Sequence, residues 1–446
     1  MTFERLFLLS LENAIFFEKY NGKFKSMILS LKNKTLVFIL LIYFSSIPFV
    51  KAQNNCNDCF KTGAERSELY LPLLKNKNVA IVTNQTGVVK DFPDDYYELI
   101  KDPKVDCVKY APQNISIVDF LVRNNIKIKK IFAPEHGFRG NADAGEHVKN
   151  GIDIKTGIPI VSLYGDNKKP KGEYLKDVDV ILFDIQDVGV RFYTYISTLS
   201  YIMEAAAENN IEVIVLDRPN PHDGYTDGPM MRDQWKSFVG LHNVPVVYGL
   251  TIGEYGKMVN GEKWLKNGIQ AKYTLIPMLN YHKQKRYGVS DKPSPNLPND
   301  KSINLYPSLC FFEGTQVSVG RGTDLPFQIY GSPWTKSYSY QFTPKPTEGA
   351  KDPFLKGKLC FGENLSEYSK DLREINLEWL LKSYKDYKNP EQDFFLKNLF
   401  FDTLAGSDEL RKQITAGKSE KEIKQSWKKD LESFEKIRQK YIVYPN

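Results

Sequence analysis

Residues 126–140 read IKIKKIFAPEHGFRG, an apolar run that ends in a short polar segment. The run at 126–132 predicts a β-strand, and the proline and two glycines that follow predict a loop. In open α/β sheets, ligands bind outside the carboxyl ends of the strands. Glu135, His136 and Arg139 therefore lie where we expect a functional site, although a polar loop that only faces water would have the same composition.

Three further runs of strand character, at residues 78–82, 178–183 and 211–216, also end in polar segments. The run at 178–183 is largely apolar, as is typical of a strand that is buried on both faces. Helical spacing between the runs, for example at 194–208, gives an alternation of strands and helices. We predict an α/β fold with a Rossmann-like, doubly wound and mostly parallel sheet.

The carboxyl ends of parallel strands lie at the same edge of a sheet, so the polar segments should form one site. The segment at 217–221 contains two prolines that restrict its backbone, which suits ligand contact. The candidate residues after the three runs are Asn84, Asp184, Asp187, Arg191, Asp217, Arg218 and Asn220.

The composition changes in the second half of the chain. Residues 293–346 are rich in Pro, Gly, Tyr and Phe with few helical signals, whereas 377–387 and 421–441 have the spacing of amphipathic helices. We predict a Rossmann-like catalytic domain over 53–285 and a smaller α+β domain over 286–446 that closes the cleft.

The N-terminus has the features of a secretory signal peptide. Lys32 and Lys34 precede an apolar run at 36–50, and Ala52 offers a small residue at the cleavage position. We expect residues 1–52 to be removed and the protein to cross the inner membrane into the periplasm; a retained membrane anchor is the alternative. The leader holds seven Lys or Arg and three Asp or Glu, so its removal lowers the formal net charge from +7 to about +3, which does not favour nucleic acid as a partner.

Carboxylates are the leading candidates for catalysis. Glu135 is the first choice for a general acid or base, and Asp184 or Asp187 could supply the second carboxylate that glycosidic bond cleavage commonly requires. A purely structural alternative exists for each: Glu135 could form an ion pair with Arg139, and the aspartates could cap the helix that begins near Thr194.

Other chemistries have less support. Residues 143–147 with Glu135 and His136 suggest a metal site, but no HExxH or related zinc pattern occurs. The sequence also lacks GxSxG and GxGxxG, which argues against a serine hydrolase of the α/β type and against a dinucleotide site. We therefore expect neither a metal nor a cofactor.

Six segments form long motifs in order along the chain, at residues 133–140, 184–191, 216–221, 293–298, 313–315 and 318–323. These motifs resemble the exo-lytic β-N-acetylmuramidase family, and the resemblance extends from about residue 60 to the C-terminus. It implies a Rossmann-like domain joined to a smaller C-terminal domain, with the active site in the cleft between them. It also implies release of N-acetylmuramic acid from the non-reducing ends of peptidoglycan fragments.

The resemblance implies that Glu135 is the catalytic residue. From position and chemistry we predict Asp187 as a second catalytic carboxylate, and Arg139, Arg191 and Arg321 as ligands for the lactyl carboxylate. The full set of predicted substrate contacts is Asn84, His136, Arg139, Arg191, Asp217, Arg218, Asn220, Glu313 and Arg321. Two other hypotheses remain open: a non-catalytic exported protein that binds cell-wall sugars, and a metal-dependent amide or ester hydrolase.

Overall fold

The computed structural model describes residues 59–91, 112–135, 137–138, 150–289 and 291–445. Four sequence predictions lie outside these ranges: the signal peptide, His136, Arg139 and the candidate metal ligands at 143–147.

The described chain contains twelve β-strands and nine α-helices. The strands are β1 (Asn78–Thr83), β2 (Val88–Asp91), β3 (Gln113–Ser116), β4 (Lys127–Ala133), β5 (Gly151–Ile152), β6 (Pro159–Ser162), β7 (Val180–Asp184), β8 (Glu212–Leu216), β9 (Lys272–Ile276), β10 (Ile329–Ser332), β11 (Tyr340–Phe342) and β12 (Cys360–Asn364). The helices are α1 (Ser67–Leu74), α2 (Ile117–Arg123), α3 (Tyr195–Glu208), α4 (Ile252–Gly261), α5 (Asp300–Leu309), α6 (Glu378–Asp386), α7 (Phe400–Ala405), α8 (Glu409–Thr415) and α9 (Glu420–Arg438).

Seven strands form the central sheet, in the order β5-β6-β4-β1-β7-β8-β9. Every neighbouring pair is parallel except β5 with β6 at one edge. The predicted α/β fold with a mostly parallel sheet is confirmed. Because β4, β1 and β7 are neighbours, Glu135, Asn84 and Asp187 all leave the same edge of the sheet.

The sheet is covered on both faces, which explains the apolar composition of its strands. In β7, Ile181 and Phe183 pack into one hydrophobic cluster, and Val180 and Leu182 pack into a second cluster on the opposite face. Helices α3 and α4 contribute to the first cluster, and α1 and α2 to the second. A strand with a hydrophobic layer on each side needs apolar residues at consecutive positions.

The C-terminal part packs onto the α3 and α4 side, because residues of α5 to α9 belong to the same hydrophobic cluster. It also contains an antiparallel sheet in the order β10-β12-β11. The two amphipathic helices expected near its end correspond to α6 and α9. The expectation of few helices over 293–346 was incomplete, because α5 lies there: Asn299 and Ser302 form a capping box that starts it despite Pro307 in its interior.

In the described part of the chain, no helix combines the length and hydrophobicity needed to cross a membrane.

Candidate active site

Glu135 follows β4 at the carboxyl edge of the sheet and is half-buried. Its Oε2 atom accepts a hydrogen bond of 2.7 Å from the hydroxyl of Thr194, the residue that precedes the first turn of α3. A carboxylate at a helix N-terminus also interacts favourably with the helix dipole. The sheet and α3 together therefore fix the position of this side chain.

Tyr195 links Glu135 to the neighbouring strand β1. Its hydroxyl donates to the backbone carbonyl of Glu135 at 3.2 Å and accepts from Nδ2 of Asn84 at 2.7 Å. Asn84 is itself fixed, because its Oδ1 accepts from the backbone N–H of Thr86 at 2.9 Å. Asn84 therefore orients the base of the site through Tyr195.

Asp187, after β7, is a buried carboxyl group. Its Oδ2 accepts from the Tyr248 hydroxyl at 2.5 Å and from the backbone N–H of Gly189 at 2.7 Å. Its Oδ1 is buried and has no hydrogen-bond partner among the described residues. Burial raises the pKa of Asp187 to about 6, although these hydrogen bonds favour the charged form and act in the opposite direction.

The charges of Glu135 and Asp187 both act on the hydroxyl of Tyr195. Burial is the largest cause that raises the pKa of Tyr195, and the two carboxylates raise it further. Two carboxyl groups, one half-exposed and one buried, therefore lie near a single hydroxyl at the edge of the sheet.

Tyr164, which follows β6, contacts Glu135 from a third direction. Its hydroxyl forms a hydrogen bond with the Glu135 side chain, and its pKa is raised first by burial and next by the charge of Glu135. A phenol with a raised pKa stays protonated and donates to the carboxylate.

Two family models match the chain. The N-terminal model of exo-β-N-acetylmuramidase NamZ covers residues 79–301, and the C-terminal model of the same family covers 304–444. The chain belongs to this family. The two models meet near residue 302, and the predicted domain boundary at residue 285 stays a prediction.

Individual relatives agree with the family assignment. The chain is 40% identical over 396 residues to the peptidoglycan β-N-acetylmuramidase NamZ of Bacillus subtilis strain 168. The aligned region covers 84% of this chain and 94% of that protein. Two crystal structures of DUF1343 family proteins from Bacteroides fragilis NCTC 9343 have similar folds. One has a TM-score of 0.75 at 43% identity and covers 87% of this chain and 99% of its own. The other has a TM-score of 0.68 at 30% identity, with 86% and 99% covered.

Besides Asn84, four of the predicted substrate contacts are buried residues with internal partners. The first is Arg191, which is fully buried and donates to the backbone carbonyls of Pro229, Val244 and Leu404 at 2.7–2.8 Å. Leu404 lies in α7, so Arg191 joins the two family regions. We correct the prediction that Arg191 binds the lactyl carboxylate, because its placement gives it a structural role.

Arg218 and Asp217 also hold the fold together. Arg218 forms a two-pronged ion pair with Asp184, with distances of 2.6 and 2.8 Å, and both side chains are buried. Asp217 accepts from the Thr251 hydroxyl at 2.7 Å and from the Gly253 backbone at 2.9 Å, so it caps α4. These contacts correct the predicted ligand roles of Asp217 and Arg218, and the ion pair replaces the suggested helix-capping role of Asp184.

Asn220 is the fourth case. Its Nδ2 donates to the Leu250 carbonyl at 2.7 Å, and its Oδ1 accepts from the His222 backbone at 2.7 Å. It packs tightly against Gly189, which has φ +74°. A side chain at position 189 would place its Cβ atom 1.8 Å from Oδ1 of Asn220, so there is no space for one. Asn220 therefore supports the loop that carries Asp187. This structural role replaces its predicted contact with substrate.

Glu313 and Arg321 form a partly exposed ion pair in the C-terminal part. Nε of Arg321 lies 2.6 Å from Oε1 of Glu313, and its guanidinium stacks over the Phe327 ring at 5.0 Å. The Nη1 atom of Arg321 is buried without a hydrogen-bond partner among the described residues. Glu313 thus orients the guanidinium of Arg321.

Sequence reasoning missed Thr194, Tyr195 and Tyr164 as site residues. Thr194 carried a weak signal as the start of a predicted helix, whereas Tyr195 and Tyr164 resembled ordinary aromatic residues next to apolar runs. Over the described ranges, no group of three or more His, Cys, Asp or Glu side chains could hold a metal ion.

Proposed function

We propose that the protein is an exo-acting β-N-acetylmuramidase that hydrolyses N-acetylmuramic acid from the non-reducing ends of peptidoglycan fragments. The observation that carries this proposal is the position of Glu135 in a chain of this family: the carboxylate stands at the carboxyl edge of the sheet, half-exposed and held by Thr194 and Tyr164. Peptidoglycan is the substrate named for the B. subtilis relative.

Glu135 is proposed as the residue that transfers a proton at the glycosidic oxygen. Among the described carboxyl groups at this edge, Glu135 combines partial exposure with hydroxyl groups that fix its orientation. A rigidly positioned acid or base within reach of the scissile bond is what general acid–base catalysis requires.

Asp187 is proposed as the second carboxylate. Leaving a buried acceptor without a partner is costly, so the Oδ1 atom is the place where a substrate hydroxyl or a water molecule would bind most favourably. With a pKa of about 6, the group is mostly ionised at neutral pH and can accept that proton or hydrogen bond.

Recognition of N-acetylmuramic acid requires a cation for its lactyl carboxylate, which N-acetylglucosamine lacks. Arg139 and Arg321 remain our candidates for this role. Of these, Arg321 lies in the described part of the chain, where Glu313 orients it and its Nη1 atom has no hydrogen-bond partner. The planar guanidinium fork suits a carboxylate better than a lysine does.

The proposed site of action is the periplasm, after export across the inner membrane. The support is the charged, apolar and small-residue pattern over residues 32–52. N-terminal sequencing of the protein from a periplasmic fraction should find Gln53 as the first residue, and a protein that starts at Met1 or Met27 would contradict cleavage there.

The direct test of function is incubation of the purified protein with the disaccharide of N-acetylmuramic acid β-1,4-linked to N-acetylglucosamine. Mass spectrometry should detect both free sugars. With longer fragments, only the terminal N-acetylmuramic acid should appear at first. Tight binding without any product would instead support an exported binding protein and refute the proposal.

A further inference from the structure

A partly exposed group of three aromatic rings and one lysine lies next to Glu135. Phe238 stacks on Tyr201 at a centroid distance of 6.1 Å and meets Tyr164 at 6.5 Å. The ammonium of Lys168 lies 4.8 Å above the Phe238 ring. All four side chains are half-buried, and we call them the aromatic patch.

The position of Phe238 is unusual for its type. Ser237 and Gly240 exchange two backbone hydrogen bonds of 3.0 and 3.1 Å, so Phe238 and Val239 form the tip of a tight turn. Tight turns at a protein surface are normally built from Gly, Pro, Asn, Asp or Ser. Val239 packs against the hydrophobic core, whereas Phe238 stays partly exposed and its ring packs on Tyr201 and Tyr164. The partly exposed aromatic surface of Phe238 can contact a ligand.

The aromatic patch is continuous with the proposed catalytic centre. Tyr164 belongs to both, because its hydroxyl bonds to Glu135 while its ring contacts Phe238. Thr194, which also bonds to Glu135, and Tyr201 are seven residues apart, so they lie on one face of α3 about 10 Å apart along its axis. The patch therefore extends from Glu135 along α3.

Burial around Glu135 is asymmetric. On the β1 and β7 side, Asn84 and Tyr195 are each 1% exposed and Asp187 is 4% exposed. On the β6 side, Tyr164, Lys168, Tyr201 and Phe238 are each partly exposed. An exo-acting hydrolase holds the terminal sugar at the closed end of its site, and the rest of the substrate must leave through the open end.

We propose that the aromatic patch is the subsite for the leaving-group sugar, the N-acetylglucosamine that follows the scissile bond. This inference rests on the proposed function and names the residues that bind the second sugar. The rings offer flat apolar surface to the C–H face of a pyranose. The Lys168 ammonium has no carboxylate partner in the described part of the chain and can donate to the acetamido carbonyl.

The test compares two substrates that differ only in the leaving group: the disaccharide, and the β-fluoride of N-acetylmuramic acid, whose leaving group has no ring. The main variant is Phe238→Leu, which keeps an apolar side chain at the turn. Lys168→Met is a second variant, at a residue outside the turn that contacts the Phe238 ring. Thermal unfolding of each variant checks that the fold is intact.

We expect both variants to lower kcat/KM for the disaccharide by about 3- to 10-fold, the range for loss of one aromatic contact. For the fluoride, kcat/KM of each variant should differ from the wild-type value by less than about twofold. Equal losses on both substrates, or no loss on the disaccharide, would overturn the proposal.

A wild-type protein that cleaves neither substrate would refute the proposed function, and the patch then has its own test. N-acetylglucosamine is titrated into the wild-type protein and into Phe238→Leu, and line broadening of the acetyl methyl signal is followed by NMR. If the wild type binds N-acetylglucosamine and Phe238→Leu does not, the aromatic patch is supported as a sugar subsite. If neither protein binds the sugar, or both bind it equally, the proposal is overturned.

Discussion

Replacement of Lys283 by methionine should destabilise the protein strongly and in a pH-dependent way. Lys283 is buried, and its ammonium lies 2.9 Å from Asp223 and 2.5 Å from Glu254, which are buried too. Glu254 also binds the C-terminal segment through the Val443 backbone N–H at 2.7 Å. Removing one partner of a buried ion pair costs about 3–5 kcal/mol, because a buried charge is left without compensation.

The pH dependence follows from Asp223. Burial raises its pKa from 3.8 to about 6, and the charge of Lys283 limits that rise. The folded state therefore holds a proton that the unfolded state has released, so this group makes stability fall as the pH rises from about 4 to about 6. Without Lys283 the pKa of Asp223 rises further, and the fall in stability continues above pH 6.

Urea unfolding at pH 5 and pH 7.5 measures both effects. The loss in unfolding free energy for Lys283→Met should be about 3–5 kcal/mol at pH 7.5 and clearly smaller at pH 5. Lys429→Met, at an exposed position of α9, is the matched control and should stay within about 0.5 kcal/mol of the wild type. A loss below about 1 kcal/mol at pH 7.5, or equal losses at both pH values, would refute the reasoning.

Two further predictions concern the active site. Thr194→Val removes a hydrogen bond to the Glu135 carboxylate that is worth about 1.5–3 kcal/mol, so kcat on the disaccharide should fall about 10- to 100-fold. Thr194→Ser keeps the hydroxyl, and its kcat should stay within about threefold of the wild type. Equal activity of the two variants would contradict the assigned contact. Asp187→Asn should lower kcat about 100-fold without lowering the melting temperature at pH 7. Burial raises the pKa of Asp187 from 3.8 to about 6, so this group makes stability fall as the pH rises from about 4 to about 6, and its ionised form disfavours the fold at pH 7. A fall in melting temperature that parallels the fall in kcat would indicate a structural role.

The sequence was sufficient to predict four strands of the central sheet, and the position of Glu135 after one of them. Each of β1, β4, β7 and β8 is a short apolar run that ends in a polar loop, and parallel pairing brings those ends to one edge. Thr251 and Glu254 have the three-residue spacing of a capping box, and this capping box is present at the start of α4.

The partners of the polar residues were not predictable in the same way. Asp184 and Arg218 look like free ligands in the sequence, but the parallel pairing of β7 with β8 places them 2.6 Å apart in a buried ion pair. Arg191 looks like a substrate ligand until the position of α7, more than 200 residues later, supplies a carbonyl acceptor for it. Such pairings depend on tertiary contacts that local spacing does not encode.

The most direct test of proton transfer by Glu135 compares Glu135→Gln with Glu432→Gln on the disaccharide; Glu432 is an exposed glutamate of α9. We expect Glu135→Gln to bind the disaccharide within about threefold of the wild-type Kd while kcat falls at least about 1000-fold, and Glu432→Gln to keep full activity. Near-wild-type kcat in Glu135→Gln would contradict the claim that this carboxylate performs the proton transfer.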